Sequence, residues 1–265
     1  MTNFCIGEDG MNYDVTFAVD SAEVHAGVYA PAAPLRVLVL APGHPWIDGS
    51  RTDGQLLEYA CAAIDRWRPF ADRQSAMLLA PVFGSGHPDF RVGGAAGYVS
   101  RLVDDMCQGQ LPGWDGRFAL HGHSAGAQFA VRYLIARPGR LTNAVISAPA
   151  EYAFPDLDLS WPWGMAGAPD GADWLTAATK VPVGVLAGTR DTAPQDLIPG
   201  HTATSRFDRA RAWVTAMHRL ASAAALASSV TFVPVPGLDH DEPTMAIAAQ
   251  RVLAEQWSNA TSPPI

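Results

Sequence analysis

The stretch RFALHGHSAGAQFAVRYLIA, residues 117–136, carries the strongest structural signal in this chain of 265 residues. It opens with the apolar run 117–122, which has the length of a buried strand. It closes with apolar residues at helical spacing, namely Ala127, Ala130, Val131, Leu134 and Ile135. Between the two lies Gly-His-Ser-Ala-Gly, residues 122–126. A strand that passes directly into a helix through this pattern predicts a sharp turn that lifts the side chain of Ser124 above the sheet.

This turn makes Ser124 a candidate nucleophile. Glycines on both sides remove the Cβ atoms that would clash in so tight a turn. The helix that follows begins with free N–H groups and the positive end of its dipole, which suit a developing oxyanion. We therefore also take the backbone N–H of Ala125 as a candidate oxyanion donor. The alternative is that the pentapeptide is only a turn of small residues.

The rest of the chain alternates between strand-like and helix-like segments. Tyr13 to Asp20 and Glu23 to Tyr29 predict an antiparallel pair. Continuous apolar runs predict six strands that are covered on both faces, at 35–42, 76–83, 117–122, 141–149, 181–188 and 228–237. Amphipathic helical stripes lie between these runs. The sequence therefore predicts an α/β fold with an eight-stranded, mostly parallel, doubly wound sheet flanked by helices.

One segment, residues 151–180, interrupts this alternation. It is rich in Pro, Trp, Gly and Asp and has no clear period, so we expect a small cap or lid inserted after the sixth strand, within a single domain spanning residues 1–265. Its aromatic residues are candidates for a substrate pocket, with simple packing of the cap onto the body as the alternative: Tyr152, Phe154, Trp161, Trp163 and Trp174.

A serine hydroxyl needs a base, and the base needs an orienting group. In this architecture the partners follow in the order serine, acid, histidine, each after a later strand. Asp191 directly follows the apolar strand 181–188, and His240 lies between the last strand and the last helix. We expect these two residues to complete a catalytic triad with Ser124. The alternatives for the acid are that Asp191 is a solvated residue paired with Arg190, or that Asp196 replaces it.

The second oxyanion donor is expected in the loop at 41–49. Pro45 has no N–H, which leaves Gly43 or His44, and we favour His44. His87, in the loop after the fourth strand, is a possible substrate-facing residue. The remaining histidines are weaker candidates for the base. His121 and His123 flank the serine region as buried packing residues, and His201 lies in a loop far from any recognisable strand end.

Composition limits the classes of partner. A formal net charge of -8 without a basic cluster argues against nucleic acid binding. No apolar run is long enough to span a membrane. The amino terminus does not resemble a signal peptide, and the three cysteines are widely spaced, so a cytoplasmic setting is expected, with secretion possible if a signal was removed. No metal site and no cofactor are expected.

These residues resemble the α/β-hydrolase superfamily, through the elbow GHSAG, the acid in AGTRD and the histidine in GLDHDE, over about residues 13 to 258. GHSAGAQFAVRY, SAPAEYAFPD and WPWG are further similar to esterases near the polyhydroxyalkanoate depolymerases and feruloyl esterases. Pro42-Gly43-His44-Pro45 departs from the usual His-Gly pair of the oxyanion loop. The resemblance implies acyl transfer through an acyl-enzyme, usually to water, without cofactor or metal.

The leading functional hypothesis is hydrolysis of a small-molecule or polymeric carboxylic ester. Amide or peptide hydrolysis by the same residues is an alternative, and acyltransferase or lyase activity is also compatible with the scaffold. Dehalogenase and epoxide hydrolase activities are disfavoured, because those reactions use an aspartate where this chain has Ser124. A non-catalytic ligand receptor of the same fold is the alternative from another class. The sequence does not predict the oligomeric state.

Overall fold

The structure is a computed structural model that describes residues 13–19, 22–43, 52–83, 94–108, 111, 113–168 and 174–261. Its centre is one eight-stranded sheet with the strand order β1-β2-β4-β3-β5-β6-β7-β8. Pairing is antiparallel from β1 to β2 and from β2 to β4, and parallel from β4 through β3 to β8. The prediction of a mostly parallel, eight-stranded sheet that opens with a hairpin is confirmed. The strands are β1 (Tyr13–Val19), β2 (Ala22–Tyr29), β3 (Arg36–Ala41), β4 (Ala76–Pro81), β5 (Phe118–His123), β6 (Leu141–Ser147), β7 (Val183–Gly188) and β8 (Val230–Val235).

Helices cover both faces of this sheet. Side chains alternate along β5, so that the ring of Phe118 contacts Tyr133 of α3 while the ring of His121 contacts Trp67 of α1. The middle of the sheet is buried on both sides, which explains why its strands read as continuous apolar runs. The helices are α1 (Asp53–Gln74), α2 (Gly94–Cys107), α3 (Ala125–Ala136), α4 (Trp174–Ala178), α5 (Arg206–Ala223) and α6 (Glu242–Thr261), and a 3-10 turn spans Pro138–Arg140.

The segment after β6 is irregular as far as residue 168. Backbone hydrogen bonds fold it onto itself: the N–H of Phe154 donates to the carbonyl of Trp163, and the N–H of Trp161 donates to that of Ala166. Trp174 then begins the short helix α4, which packs on α3 and on the 3-10 turn. Residues 151–180, which are aperiodic in sequence, thus include the helix α4, and the cap role of the segment stays a prediction.

No helix within the described ranges combines the length and the apolar character needed to cross a bilayer.

Candidate active site

Ser124 lies at a strained turn between β5 and α3. Its backbone has φ 52° and ψ -113°, a conformation that residues with a side chain rarely adopt. The turn is held because the N–H of Ser124 donates to the carbonyl of Ser147, at 2.9 Å. A Cβ built on Gly126 would lie 1.8 Å from the carbonyl oxygen of Ala41, so only glycine fits there. The sharp turn that the sequence predicts is present.

The three side chains proposed as a triad are in contact. Nε2 of His240 lies 3.0 Å from Oγ of Ser124, and its Nδ1 lies 2.9 Å from Oδ2 of Asp191. With a proton on Nδ1, the ring donates to the carboxylate and is ready to accept the serine proton. The carboxylate of Asp191 is buried, whereas the imidazole is 29% exposed. This arrangement can deprotonate the hydroxyl at a site open to solvent.

Loop backbone holds the acid and the histidine in register. The N–H of Asp191 donates to the carbonyl of Gly188 at the end of β7, at 3.0 Å. The N–H of Arg190 donates to the carbonyl of Leu238, at 2.8 Å, which joins the loop after β7 to the loop that carries His240. The two loops are therefore joined by main-chain hydrogen bonding.

The alternatives for the acid do not match the geometry. Asp191 is buried and forms its ion pair with Arg206, at 3.4 Å between Nη1 and Oδ1, rather than with Arg190. Asp196 is exposed, and its backbone carbonyl, not its carboxylate, accepts a hydrogen bond from Arg209.

The predicted oxyanion donors are partly described. Ala125 is the first residue of α3, where a backbone N–H has no partner within the helix. Gly43 lies against Ser124, since a Cβ built on it would be 3.4 Å from Cβ of Ser124. His44 lies outside the described residues, as does His87. The choice between Gly43 and His44 stays open.

Two buried histidines flank the serine turn. The ring of His121 is hydrogen-bonded to Oγ of Ser147, at 3.2 Å, and burial, followed by the charge of Arg66, lowers its pKa to about 3. The ring of His123 lies 4.9 Å from that of His240. Burial is the first cause, and the neighbouring His240 the second, that lowers the pKa of His123 well below its usual value. Both rings are therefore neutral at physiological pH, as expected of packing residues.

The aromatic residues predicted to line a pocket differ in burial and in their contacts. Tyr152 is completely buried and stacks on Trp213, with ring centroids 5.4 Å apart, so its contacts fit the packing alternative. Phe154, Trp161 and Trp163 are half-buried. Phe154 and Trp161 pack against the core. A substrate-binding role for these three rings and for His87 stays a prediction.

Several residues near the site were not assigned a role from the sequence. His201 accepts a hydrogen bond from the backbone N–H of Tyr152 and donates one from Nδ1 to the carbonyl of Pro199, each at 2.9 Å. Arg209 is buried and donates to the carbonyls of Ala150, Ala203 and Asp196. One sequence feature could have indicated that Arg209 is buried. This arginine lies four positions before Trp213, on a helix with an apolar stripe. These side chains join the loops that follow β6 and β7.

Across the part of the chain that the structure describes, no three His, Cys, Asp or Glu side chains are grouped so as to hold a metal ion.

The chain is similar in structure to several solved proteins. No protein-family model matches the chain, and no curated protein matches it. A poly(3-hydroxybutyrate) depolymerase from Bordetella parapertussis is 23% identical with a TM-score of 0.72, covering 96% of this chain and 92% of that one. Poly(aspartic acid) hydrolase-1 from Sphingomonas sp. KT-1 is 22% identical with a TM-score of 0.71, covering 95% and 97%. An S-formylglutathione hydrolase from Agrobacterium tumefaciens is 15% identical with a TM-score of 0.58, covering 97% and 98%.

These likenesses extend over nearly the whole chain, which itself has a mostly parallel eight-stranded sheet and a serine turn between β5 and α3. The chain therefore has the α/β-hydrolase fold.

Proposed function

We propose that this protein is a serine hydrolase that cleaves carboxylic esters through an acyl-enzyme. The observation that carries the proposal is the continuous hydrogen-bonded series from Oγ of Ser124 through His240 to the buried carboxylate of Asp191, at 3.0 and 2.9 Å. Each group has the role that its position permits: Ser124 is the nucleophile, His240 the general base and then acid, and Asp191 the group that fixes the imidazole tautomer.

The reaction follows from these positions. Oγ attacks the ester carbonyl as Nε2 of His240 accepts its proton, and Asp191 stabilises the imidazolium that forms. The negative charge on the tetrahedral oxygen is stabilised by hydrogen bonds from the N–H of Ala125 and from the N–H of residue 43 or 44. The imidazolium then protonates the departing alcohol, which leaves the acyl group on Ser124. Water attacks this acyl-enzyme with His240 again as base, which releases the acid and restores the serine.

The names of the similar structures support hydrolysis as the reaction class. Each of the three is called a hydrolase or a depolymerase, and two are named for polymers. We therefore propose a small-molecule or polymeric ester as substrate. Amide hydrolysis by the same residues is the second candidate, because one of these proteins is named for poly(aspartic acid). A cytoplasmic setting, inferred from the wide cysteine spacing, is part of the same proposal.

Hydrolysis of p-nitrophenyl esters from acetate to decanoate tests the proposal, with Ser124→Ala beside the wild type. Ser258→Ala, on the exposed face of α6, is the matched control. We expect turnover to vanish in Ser124→Ala and to persist in the control, and the best chain length to size the acyl site. A fluorophosphonate should label the wild type at Ser124. Equal rates in all three proteins would reject the assignment, and cleavage of aspartate oligomers without ester turnover would favour the amidase.

A further inference from the structure

The carboxylate of Asp191 is bonded on both oxygens. Oδ2 accepts from Nδ1 of His240 at 2.9 Å, and Oδ1 accepts from Nη1 of Arg206 at 3.4 Å. The aspartate side chain is 1% exposed and the arginine side chain 20% exposed. A carboxylate withdrawn from water remains ionised only where partners replace its hydration. Arg206 supplies a permanent positive charge at Oδ1, the carboxylate oxygen that is not bonded to His240.

The backbone fixes Arg206 at this place. It is the first residue of α5, whose cap Ser205 accepts the N–H of Asp208 at 3.1 Å. The N–H of the next residue, Phe207, donates to the backbone carbonyl of Asp191 at 3.3 Å. The start of α5 is thus bound to Asp191 through main chain and side chain together. The positive end of the helix dipole adds to the charge of the guanidinium.

Two neutral groups also face the pair of Asp191 and His240. His123 lies against the His240 ring, and burial lowers its pKa well below the usual value, so it carries no charge near neutral pH. Burial first, and the charge of Asp191 second, raise the pKa of Tyr152 well above its usual value. Its hydroxyl therefore stays protonated and adds no charge beside the carboxylate.

The carboxylates at the start of α6 have hydrogen-bond partners other than Asp191 and His240. Glu242 accepts from Arg66 at 3.3 Å and from Tyr59 at 2.9 Å. Asp241 is exposed and accepts the N–H of Thr244. Of the ion pairs found among the described residues, those of Asp191 are with Arg206 and with His240 itself.

We propose that Arg206 is a positioning residue for the hydrolase reaction. It holds Oδ1 of the Asp191 carboxylate, so that Oδ2 faces Nδ1 of His240. The imidazole is consequently held with Nε2 toward Oγ of Ser124. This inference rests on the proposed function of Ser124 and His240.

Arg206→Gln tests the inference by removing the charge. Two readouts are followed: kcat and KM for a p-nitrophenyl ester, and the NMR signal of the Nδ1 proton that His240 donates to Asp191. We expect kcat to fall about 10-fold with little change in KM, on the scale of a small misplacement of a catalytic group, and the proton signal to shift. Arg206→Lys keeps the charge and should restore the wild-type proton signal. Arg211→Gln, on the exposed face of the same helix, should leave both readouts unchanged.

Thermal unfolding of each variant is measured first, and Arg206→Met, which keeps an apolar stem, is a second uncharged variant. Lower activity with an unchanged Nδ1 proton signal would make Arg206 merely structural and overturn the inference. The NMR readout does not require turnover. A shifted proton signal in a protein that hydrolyses no ester would reject the proposed function while keeping the positioning role of Arg206.

Discussion

Gly43 lies directly beside Ser124, and a carbon added to Gly43 would clash with the ring of His123. A Cβ built on Gly43 would be 3.4 Å from Cβ of Ser124, 2.9 Å from Nδ1 of His123 and 3.5 Å from Oε2 of Glu242. His123 is buried beneath the loop, and Glu242 is held by Tyr59 and Arg66, so neither neighbour moves aside freely. The loop after β3 is therefore fixed against the nucleophile by the absence of a side chain.

Gly43→Ala should consequently impair catalysis more than binding. The added methyl group clashes with the ring of His123, so the loop shifts and displaces the N–H expected to meet the oxyanion. We expect kcat to fall on the order of 100-fold, the usual scale for loss of one oxyanion donor, with a small change in KM. Steady-state kinetics on p-nitrophenyl esters measure it. Gly54→Ala is the matched control, because nothing lies within 4 Å of its added Cβ. Full activity of Gly43→Ala would remove this loop from the oxyanion site.

Asp191→Asn should nearly abolish turnover while the protein still folds. The amide has nearly the shape of the carboxylate but no longer accepts from His240 as an anion, so the imidazole loses its tautomer and its charge partner. We expect kcat to fall on the order of 10⁴-fold. Asp196→Asn is the control, since that side chain is exposed, and should retain activity. Circular dichroism verifies the fold of both, and the opposite ranking of the two variants would move the acid to residue 196.

The positions of Ser124, Asp191 and His240 were predictable because each follows a strand of one parallel sheet. The carboxyl ends of such strands meet at one edge, so a residue's place after a strand already fixes its place in the site. The apolar runs predicted the strands, and the serine turn predicted the edge of the sheet at which the site lies. No distant contact had to be known.

Arg206 and His201 were not predictable by the same reasoning. The connection from Asp191 to Arg206 has no period, so its path back to the carboxylate depends on particular hydrogen bonds, such as that from His201 to Pro199. A loop of this kind is ordered by tertiary contacts, which sequence spacing does not show. Tyr152 illustrates the same limit, because its ring was as compatible with a pocket as with the stack on Trp213 that the structure contains.

The buried histidines should make stability depend on pH below neutrality. The pKa of His121 is lowered to about 3 and that of His201 to about 4, mainly by burial, whereas a histidine in the unfolded chain protonates near 6.5. The unfolded state therefore binds more protons below pH 6.5. The stabilisation is complete above that value and is lost progressively as the pH falls toward 3 to 4.

His121→Gln isolates one of these contributions. Between pH 7 and pH 5 the wild type should lose about 2 kcal/mol of unfolding free energy through His121, and the variant should lack this part of the decrease. Urea unfolding at the two pH values measures the difference. Ser258→Ala, a change of a non-titrating residue on the exposed face of α6, should show the wild-type decrease. Identical decreases in His121→Gln and the wild type would mean that the ring titrates alike in the folded and unfolded states.

Arg209 joins the loops after β6 and β7, so its loss should affect stability and catalysis together. Its guanidinium donates to the carbonyls of Ala150 at 2.6 Å and Ala203 at 2.9 Å, and also to that of Asp196. Arg209→Met keeps an apolar stem but leaves three carbonyls without this donor. The expected cost is on the order of 3 kcal/mol in the free energy of unfolding, because buried carbonyls without donors are expensive.

The catalytic effect of Arg209→Met follows from the chain path. Ala203 and Asp196 belong to the connection that ends at Arg206, so loosening it releases the start of α5 from Asp191. We expect kcat to fall about 10-fold, on the scale of a small misplacement of a catalytic group. Arg211→Met is the matched control, since it removes only an exposed ion pair with Asp208 and should change neither quantity measurably. If urea unfolding shows the loss of stability while kcat stays at the wild-type value, the loop holds Asp191 in place without Arg209, and the main-chain bond from Phe207 is sufficient to do so.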